Sequence, residues 1–240
     1  MKIQKIDLKE KAVIVADVHY KKGDEDFLDL LKKWLENPPP QVFFLGDIFH
    51  LLLPFKYLIR YNNEAIELIN LLAQKTEVYY TPGNHDFNIE SVFKNVKIAD
   101  AFADEKKSVF LTHGDLTDND FFYRIYVKII RNPFLNSLLN ILSFNFVNNW
   151  LFRKILQKKI KCLKISAFRE KVFSKIADID YKNVIEGHYH QGVEYDFGDK
   201  RYFGLGAYVC DKVFYVYENN TLKAEYGNRR QNSQSGLKRA

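Results

Sequence analysis

Short runs of β-branched and aromatic residues alternate with helical patterns through the first 115 residues of the chain. This alternation is typical of βαβ units and predicts a largely parallel inner sheet. The predicted strands of this sheet are residues 12–16, 42–45, 77–80, 109–112 and, much later in the chain, 184–186. Apolar residues recur at helical spacing between Phe27 and Trp34 and between Ala65 and Ala73, which predicts two helices with one buried face each.

The chain changes character after Glu186. Residues 193–197, 201–205, 208–217 and 222–226 are predicted as short strands, joined by turns that contain Gly, Asp and Asn. This pattern favours an antiparallel meander. Residues 228–240 contain almost no apolar side chains, so we expect a frayed tail without catalytic residues.

A short polar cluster follows each strand of the predicted sheet. The clusters are Asp17-Val-His19, Gly46-Asp47, Gly83-Asn84-His85-Asp86, His113-Gly114-Asp115 and Gly187-His188-Tyr189-His190. Because the carboxyl ends of parallel strands open into one crevice, these clusters are expected to converge. Alone, Gly-Asn-His-Asp would also fit a turn. Five of the six histidines lie in the clusters, however, and this concentration favours a functional site.

The side chains of the clusters are typical metal ligands. Asp, Asn and His without Cys suit Mn²⁺, Fe, Zn²⁺ or Mg²⁺. Two ions about 3.5–4 Å apart that share a carboxylate would use all the candidate ligands and would clamp an in-line displacement at phosphorus. The predicted reaction is therefore metal-assisted phosphoester hydrolysis. His50 lies in an apolar run and is interpreted as a packing histidine, and Asp115 as a hydrogen-bonding partner of a ligand.

The order of these motifs, from Ile14 to His190, resembles that of the calcineurin-like metallophosphoesterase superfamily. The resemblance implies an α/β (α+β) sandwich of mixed β-sheets flanked by helices, with a helical lid inserted here. It assigns Asp17, His19, Asp47 and His190 to one metal ion, and Asp47, Asn84, His113 and His188 to the other. A hydroxide between the ions would be the nucleophile. His85 would bind a phosphoryl oxygen or protonate the leaving group, and Asp86 would orient His85.

Composition and charge indicate the cellular compartment of the protein and a basic segment that could contact a partner. The 47% hydrophobic and 28% charged residues exclude a disordered chain. The charges of residues 1–20 are scattered ahead of one short apolar run, which is the wrong order for a secretory signal, so we expect a cytoplasmic protein. Cys162 and Cys210 are expected to be buried thiols in a reducing compartment. Residues 116–175 contain 12 Lys and Arg but only three Asp and Glu, while the rest of the chain is slightly acidic.

Residues 116–175 are predicted as a helical lid inserted into a core of residues 1–115 and 176–227. Residues 132–152 carry no charge, but their six Asn and two Ser make a poor transmembrane helix. An amphipathic helix is predicted, with Leu135, Leu138, Leu139 and Leu142 on one face and Asn132, Asn136, Asn140 and Ser143 near another. A basic cluster at 153–164 follows. This combination favours a segment that rests on an anionic membrane surface or covers an acyl chain. The alternative is a helical hairpin packed on the core.

The start of the predicted lid resembles that of bacterial UDP-2,3-diacylglucosamine hydrolases. The resemblance lies in His113-Gly-Asp-Leu-Thr-Asp-Asn-Asp-Phe-Phe-Tyr123 and in Arg131-Asn-Pro-Phe-Leu. It implies Mn²⁺-dependent cleavage of the glycolipid to UMP and 2,3-diacylglucosamine 1-phosphate, in lipid A biosynthesis at the inner face of the cytoplasmic membrane. Asp120 and Tyr123 would contact the substrate headgroup. The lipid hydrolases typically carry Arg in place of His85, whereas the wider superfamily carries His.

The leading hypothesis is thus a peripheral membrane hydrolase of a nucleotide-linked glycolipid, with two divalent ions, Mn²⁺ or alternatively Fe, Zn²⁺ or Mg²⁺. One alternative is a soluble metallophosphoesterase that acts on a nucleotide or a phosphoprotein. A nuclease is another, because the basic segment could follow a phosphate backbone. The adjacent uncharged stretch favours lipid, so no nucleic-acid partner is expected. A binding protein on a decayed fold is disfavoured by the complete ligand set. The oligomeric state is not predicted.

Overall fold

The computed structural model describes residues 1–118, 122, 125, 127, 129, 131–132, 134 and 146–227. The strands in this part of the chain are β1 (Ile3–Lys5), β2 (Val13–Val15), β3 (Gln41–Leu45), β4 (Glu77–Thr81), β5 (Lys97–Ile98), β6 (Ala101–Asp104), β7 (Val109–Thr112), β8 (Asn183–Glu186), β9 (Val193–Asp196), β10 (Arg201–Gly204), β11 (Val213–Glu218) and β12 (Thr221–Tyr226). The helices are α1 (Glu25–Glu36), α2 (Lys56–Tyr61), α3 (Asn63–Lys75), α4 (Phe146–Gln157), α5 (Phe168–Ile176) and α6 (Tyr208–Asp211).

The described strands form two six-stranded mixed sheets. The first sheet has the order β1-β6-β7-β8-β10-β9, and the second has the order β12-β11-β2-β3-β4-β5. In the second sheet β2, β3 and β4 are parallel, and in the first sheet β7 and β8 are parallel. The predicted sandwich of mixed sheets is confirmed. The single inner sheet expected from the strand rhythm was wrong, because its five strands are divided between two sheets.

Apolar side chains on both faces of the strands hold the sandwich together. Ile14, Phe43 and Leu45 of the second sheet meet Leu111 and Ile185 of the first sheet in the interior. The alternate residues of the second sheet, with Phe44 as an example, pack outward against α1 and α3. Because both faces of the central strands are covered, these strands are continuous apolar runs in the sequence.

The end of the core differs from the predicted meander. Residues 208–217 were expected to be one strand, but they form α6 and then most of β11. The chain changes sheets here, since β9 and β10 pair in the first sheet and β11 and β12 in the second. The aromatic and β-branched composition of this range favours a strand, and tertiary packing of the buried Tyr208 overrides that preference.

Two helices of the predicted lid range pack on the core. Helix α5 buries Phe168, Val172 and Ile176 against the outer face of the first sheet. Helix α4 buries Phe152 and Leu156 against a cluster around Leu51, Leu53 and Phe87. The amphipathic helix predicted around Leu135–Leu142, like the tail at 228–240, lies outside the described residues. Among the helices that the structure describes, none combines the length and apolarity needed to cross a lipid bilayer.

Cys162 and Cys210 form a disulfide, so the prediction of two buried thiols was wrong. Cys162 is exposed and Cys210 is half-buried. The two cysteines are 48 positions apart, which hides their proximity in the sequence, because only the folded insertion brings residue 162 to α6. The reducing compartment inferred from free thiols therefore loses its basis.

The disulfide should be measurable as missing thiols and as stability. In the denatured, unreduced protein we expect no reaction with a maleimide probe, and two labelled cysteines after reduction. Cys162→Ser should lower the free energy of unfolding by about 2–4 kcal/mol, since it removes a long cross-linked loop from the unfolded chain. Denaturant unfolding measures this change. Cys210→Ser should have the same effect, and labelling of both cysteines before reduction would contradict the disulfide.

Candidate metal centre

The predicted ligands converge at the ends of strands from both sheets. Asp17, Asp47 and Asn84 follow β2, β3 and β4, whereas His113 and His188 follow β7 and β8. Two hydrogen bonds join the sheets here. The backbone N–H of His188 donates to Asp17 Oδ2 (2.9 Å), and His113 Nδ1 donates to the Leu45 carbonyl (2.9 Å). The crevice expected at one sheet is therefore a junction between two.

Asp47 lies at the centre of this junction. One of its carboxylate oxygens is 3.8 Å from His19 Nε2, and the other is 3.7 Å from His113 Nε2. Both distances are too long for a hydrogen bond. Because His113 Nδ1 donates to the Leu45 carbonyl, Nε2 is the ring nitrogen that faces the carboxylate and would be the metal ligand. Two ligand atoms that are each about 2.0–2.2 Å from the same ion lie about 3–4 Å apart. Each of the two gaps therefore matches an oxygen and a nitrogen that bind the same cation.

The polar atoms that face the junction are buried without hydrogen-bond partners. They are Asp17 Oδ1, both ring nitrogens of His19, Asn84 Oδ1 and His113 Nε2. His190 Nε2 approaches Asp17 Oδ1 to 3.2 Å without hydrogen-bond geometry. Within the described part of the chain, three sets have ligand atoms within 4.8 Å of one another, namely Asp17-His19-His190, His19-Asp47-His85 and Asp17-Asp47-His113. Unpaired buried donors and acceptors are costly, and oxygen and imidazole ligands fit divalent Mn, Fe, Zn or Mg.

The pKa shifts of the ligands indicate that positive charge stabilises the junction. Burial lowers the pKa of the His113 imidazole, but Asp47 and then Asp115 outweigh burial and raise it to about 9. Burial lowers the pKa values of His19 and His188 well below the usual range. Burial raises the pKa of Asp47, yet His113 and the neighbouring histidines hold it below its ordinary value. A proton on His113 thus supplies part of the charge that a metal ion would bring.

The backbone at the ligands is strained. Asp17, His19, Asp47, His188 and His190 all have positive φ angles, between 48° and 65°. Residues with a side chain rarely adopt this left-handed conformation, which costs about 1–3 kcal/mol each. The strain is tolerated because the surrounding strands and hydrogen bonds fix these turns. In this conformation the five side chains are directed toward the junction.

Two glycines allow the loops to approach each other. A Cβ atom on Gly83 would lie 2.1 Å from Asp47 Oδ1. A Cβ atom on Gly46 would lie 2.4 Å from the His113 ring, and Gly46 also has a φ of 74°. Side chains at these two positions would therefore displace the ligands themselves.

Asp86 organises the Asp47 turn, and its predicted role in orienting His85 was wrong. Its carboxylate accepts hydrogen bonds from the backbone N–H groups of Asp47 (3.0 Å), Ile48 (2.6 Å), Phe49 (3.1 Å) and Gly83 (2.8 Å), and from Tyr80 Oη (2.6 Å). His85 is oriented instead by the His50 carbonyl, which accepts from His85 Nδ1 at 2.8 Å. The Asp86 carboxylate is thus engaged by the backbone of the Asp47 and Gly83 turns and by Tyr80, and does not orient the His85 ring.

His85 and His50 lie beside the ligands. The His85 ring packs edge-on to His19 with centroids 4.8 Å apart, and its Nε2 is left available because Nδ1 is engaged. His50 is fully buried and donates from Nε2 to the Ile155 carbonyl of α4 (3.0 Å). Burial, followed by the charge of Lys21, lowers the pKa of His50 to about 4, so the ring is neutral at neutral pH.

Several charged residues around the centre were not predicted. Arg131 forms a 2.6 Å ion pair with Asp115, and Lys175 forms a 2.9 Å ion pair with Glu186. Lys175 also donates to the Gly114 carbonyl (2.9 Å), next to His113. The sequence pattern could have indicated Lys175 and Glu186, because Lys175 interrupts the apolar face of α5 and Glu186 ends an apolar strand. Asp120 and Tyr123, the predicted headgroup contacts, lie outside the described residues.

Comparison with known proteins places the chain in a family. The chain matches the calcineurin-like phosphoesterases over residues 11–202. No curated protein is similar enough in sequence to give a match.

Solved structures with a similar fold have low sequence identity. A predicted phosphoesterase from Streptococcus pneumoniae is 14% identical, with a TM-score of 0.40 over 93% of this chain and 100% of that protein. An archaeal phosphodiesterase is 13% identical, with a TM-score of 0.46 over 89% of this chain and 98% of that protein. A cold-active protein-tyrosine phosphatase from Shewanella is 14% identical, with a TM-score of 0.45 over 93% of this chain and 79% of that protein. Similarity at this level carries no information on substrate.

The family match covers most of the chain and includes every loop that forms the junction described above. The oxygen and imidazole donors of that junction fit the dinuclear divalent metal site that the family implies. The chain belongs to the calcineurin-like phosphoesterase family and is a metal-dependent phosphoesterase.

Proposed function

We propose that the chain hydrolyses the pyrophosphate bond of UDP-2,3-diacylglucosamine, giving UMP and 2,3-diacylglucosamine 1-phosphate for lipid A biosynthesis. The proposal begins from the resemblance of residues 113–123 and 131–135 to the lid of the lipid hydrolases. It places the enzyme on an anionic membrane surface, with Mn²⁺ as the metal. The cytoplasmic face of that membrane remains a prediction.

The observation that carries the proposal is the surface of the insertion. Eight of the twelve large apolar side chains that are exposed in the described residues lie between Phe122 and Phe173. Trp150 is 54% exposed and Leu163 is 67% exposed. The side chains of residues 153, 154, 158, 159, 161 and 164 are exposed and basic. Exposed apolar groups beside cations are typical of a surface that contacts anionic lipid.

A cleft lies between one of the proposed metal ligands, His19, and the insertion. Its volume is about 370 Å³, and its lining includes His19, His50, Lys21 and Ile160. Lys21 donates to the Lys158 carbonyl (2.8 Å), so the insertion forms one wall. A substrate with an anionic phosphate and an apolar part matches a cleft whose lining combines a metal ligand, two lysines and a residue of the insertion.

The roles proposed for the ligands follow the family pattern. Asp17, His19, Asp47 and His190 would hold one ion, and Asp47, Asn84, His113 and His188 the other. When bound, such an ion pair supplies a hydroxide nucleophile and offsets charge on the phosphoryl oxygens. His85 directs Nε2 toward this region, and a proton there would stabilise a phosphoryl oxygen or pass to the leaving group.

Metal binding and proton transfer should separate by mutation. We expect Asp47→Ala to lose both ions, because this carboxylate is the proposed bridge. His85→Ala should retain both ions and lose about 10²–10⁴-fold in kcat. Metal analysis and turnover of a small phosphodiester measure the two effects. Asp178→Ala, at an exposed position in the turn after α5, is the control and should change neither. Two ions and normal turnover in Asp47→Ala would refute the bridge.

Membrane binding should depend on the exposed apolar and basic side chains of the insertion. We expect co-sedimentation with anionic phosphatidylglycerol vesicles that weakens as salt increases, since about 1 kcal/mol per basic residue is screened. Trp150→Asp with Leu163→Asp should weaken this binding further. Leu71→Asp is a matched control, because Leu71 is 47% exposed on α3, outside the insertion. Equal binding to neutral and anionic vesicles would contradict the proposed surface.

The substrate itself gives the deciding test. With Mn²⁺, the protein should release UMP from UDP-2,3-diacylglucosamine in mixed micelles. Trp150→Asp with Leu163→Asp should slow this reaction and leave hydrolysis of a small phosphodiester unchanged, because remote apolar contacts provide binding energy for the large substrate. Efficient hydrolysis of a nucleotide or a phosphoprotein, with the glycolipid untouched, would instead favour a soluble phosphoesterase, in agreement with His85, the residue that the wider superfamily carries at this position.

A further inference from the structure

Arg131 connects the insertion to two loops of the metal centre. Its guanidinium Nη2 donates to Asp115 Oδ2 (2.6 Å), to the Gly83 carbonyl (2.8 Å) and to the Pro82 carbonyl (3.2 Å). The Arg131 side chain is only 14% exposed, and Asp115 is 1% exposed. This cation is therefore enclosed between the loops rather than spread on the surface.

The two loops carry ligands of the same proposed metal ion. The Gly83 carbonyl belongs to the planar peptide group that leads into Asn84, so a hydrogen bond to this oxygen fixes the orientation of that peptide. Asp115 follows His113 by two residues. One guanidinium thus sets the relation between the turn that presents Asn84 and the turn that presents His113.

The charge of Arg131 also has a local purpose. Asp115 is buried close to Asp47, and two buried carboxylates without a cation would repel each other. Arg131 offsets the charge of Asp115 through their 2.6 Å ion pair. The position of Arg131 is itself fixed, because Asn88 Nδ2, just beyond the Asn84 turn, donates to the Arg131 carbonyl (3.1 Å).

We propose that Arg131 is a positioning residue of the metal centre, through which the insertion holds the Asn84 and His113 loops together and maintains affinity for the second metal ion. Of the first ion's assigned ligands Asp17, His19, Asp47 and His190, only the bridging Asp47 is shared with the second ion, and in the described residues the hydrogen bonds of the Arg131 side chain go to Asp115, Gly83 and Pro82. The effect should therefore be selective. This inference depends on the metal centre of the family and not on the proposed glycolipid substrate.

The test is Mn²⁺ titration of the metal-free protein by calorimetry, combined with EPR of the loaded protein. In Arg131→Ala we expect the second Mn²⁺ to bind 10–100-fold more weakly, while the first binds as in the wild type. The EPR signal of a manganese pair should change to that of a single ion at equal loading. Arg131→Lys keeps the charge but not the shape of the guanidinium and should give an intermediate affinity. Arg60→Ala and Arg60→Lys, at an exposed position on α2, are the matched controls.

Each outcome decides the proposal. Wild-type affinity for both ions in Arg131→Ala and Arg131→Lys would overturn it. Equal weakening of both ions, together with a lower melting temperature, would show a general structural role and would also overturn it. If Arg131→Ala does not fold, Asp115→Asn removes the charge of the same ion pair without loss of volume, and selective weakening of the second ion is again the expected result.

Discussion

Burial of the Asp17 and Asp47 carboxylates at the junction of two sheets is the constraint on which the rest of the structure depends. Both side chains are almost fully buried. Removal of a carboxylate from water costs several kcal/mol unless opposite charge is close. The neighbours are mainly imidazoles, with unpartnered nitrogens at His19 and His113 that face the carboxylates. A site with two anions and several lone pairs is most stable when cations occupy it. The free energy that burial of these carboxylates costs is therefore recovered when metal ions bind, which favours metal binding.

The insertion is tied to both halves of this junction. On one side Arg131 holds the Asn84 and His113 loops. On the other side the Cys162–Cys210 disulfide anchors the insertion to α6, where the Val209 N–H donates to the Asp17 carbonyl (3.1 Å). Residues that follow Cys162 bind the His190 turn, because the Ile165 N–H donates to Gln191 Oε1 (2.9 Å). Since α5 is also part of the core, the segment cannot be regarded as a cover that is separate from the metal centre.

The parts of the fold that could be predicted are those that depend on the order of neighbouring residues in the sequence. Strands β2, β3, β4, β7 and β8 are apolar runs followed by ligands, so their positions and the polar turns after them could be recognised. The contacts of Asp86 with residues 47–49 join positions 37–39 apart, and those of Arg131 with Pro82 and Gly83 join positions 48–49 apart, so no local sequence pattern indicates them. The disulfide was missed for the same reason. Strands β1, β5 and β6 are short and lie at or near sheet edges, where pairing rather than composition defines a strand.

Position 85 shows how charge near the metals is distributed in this chain. An arginine there would offer several donors to a phosphate, but His85 offers one, because Nδ1 is engaged by the His50 carbonyl. The cleft that reaches His19 is lined instead by Lys21 and Lys22, together with Asp24, whose carboxylate is 3.8 Å from Lys212 Nζ. Lys21 is held by the carbonyl of Lys158 in the insertion. Positive charge beside the metal ligands is therefore placed jointly by the Asp17 loop and the insertion, which makes recognition of an anionic substrate depend on how these two segments are packed together.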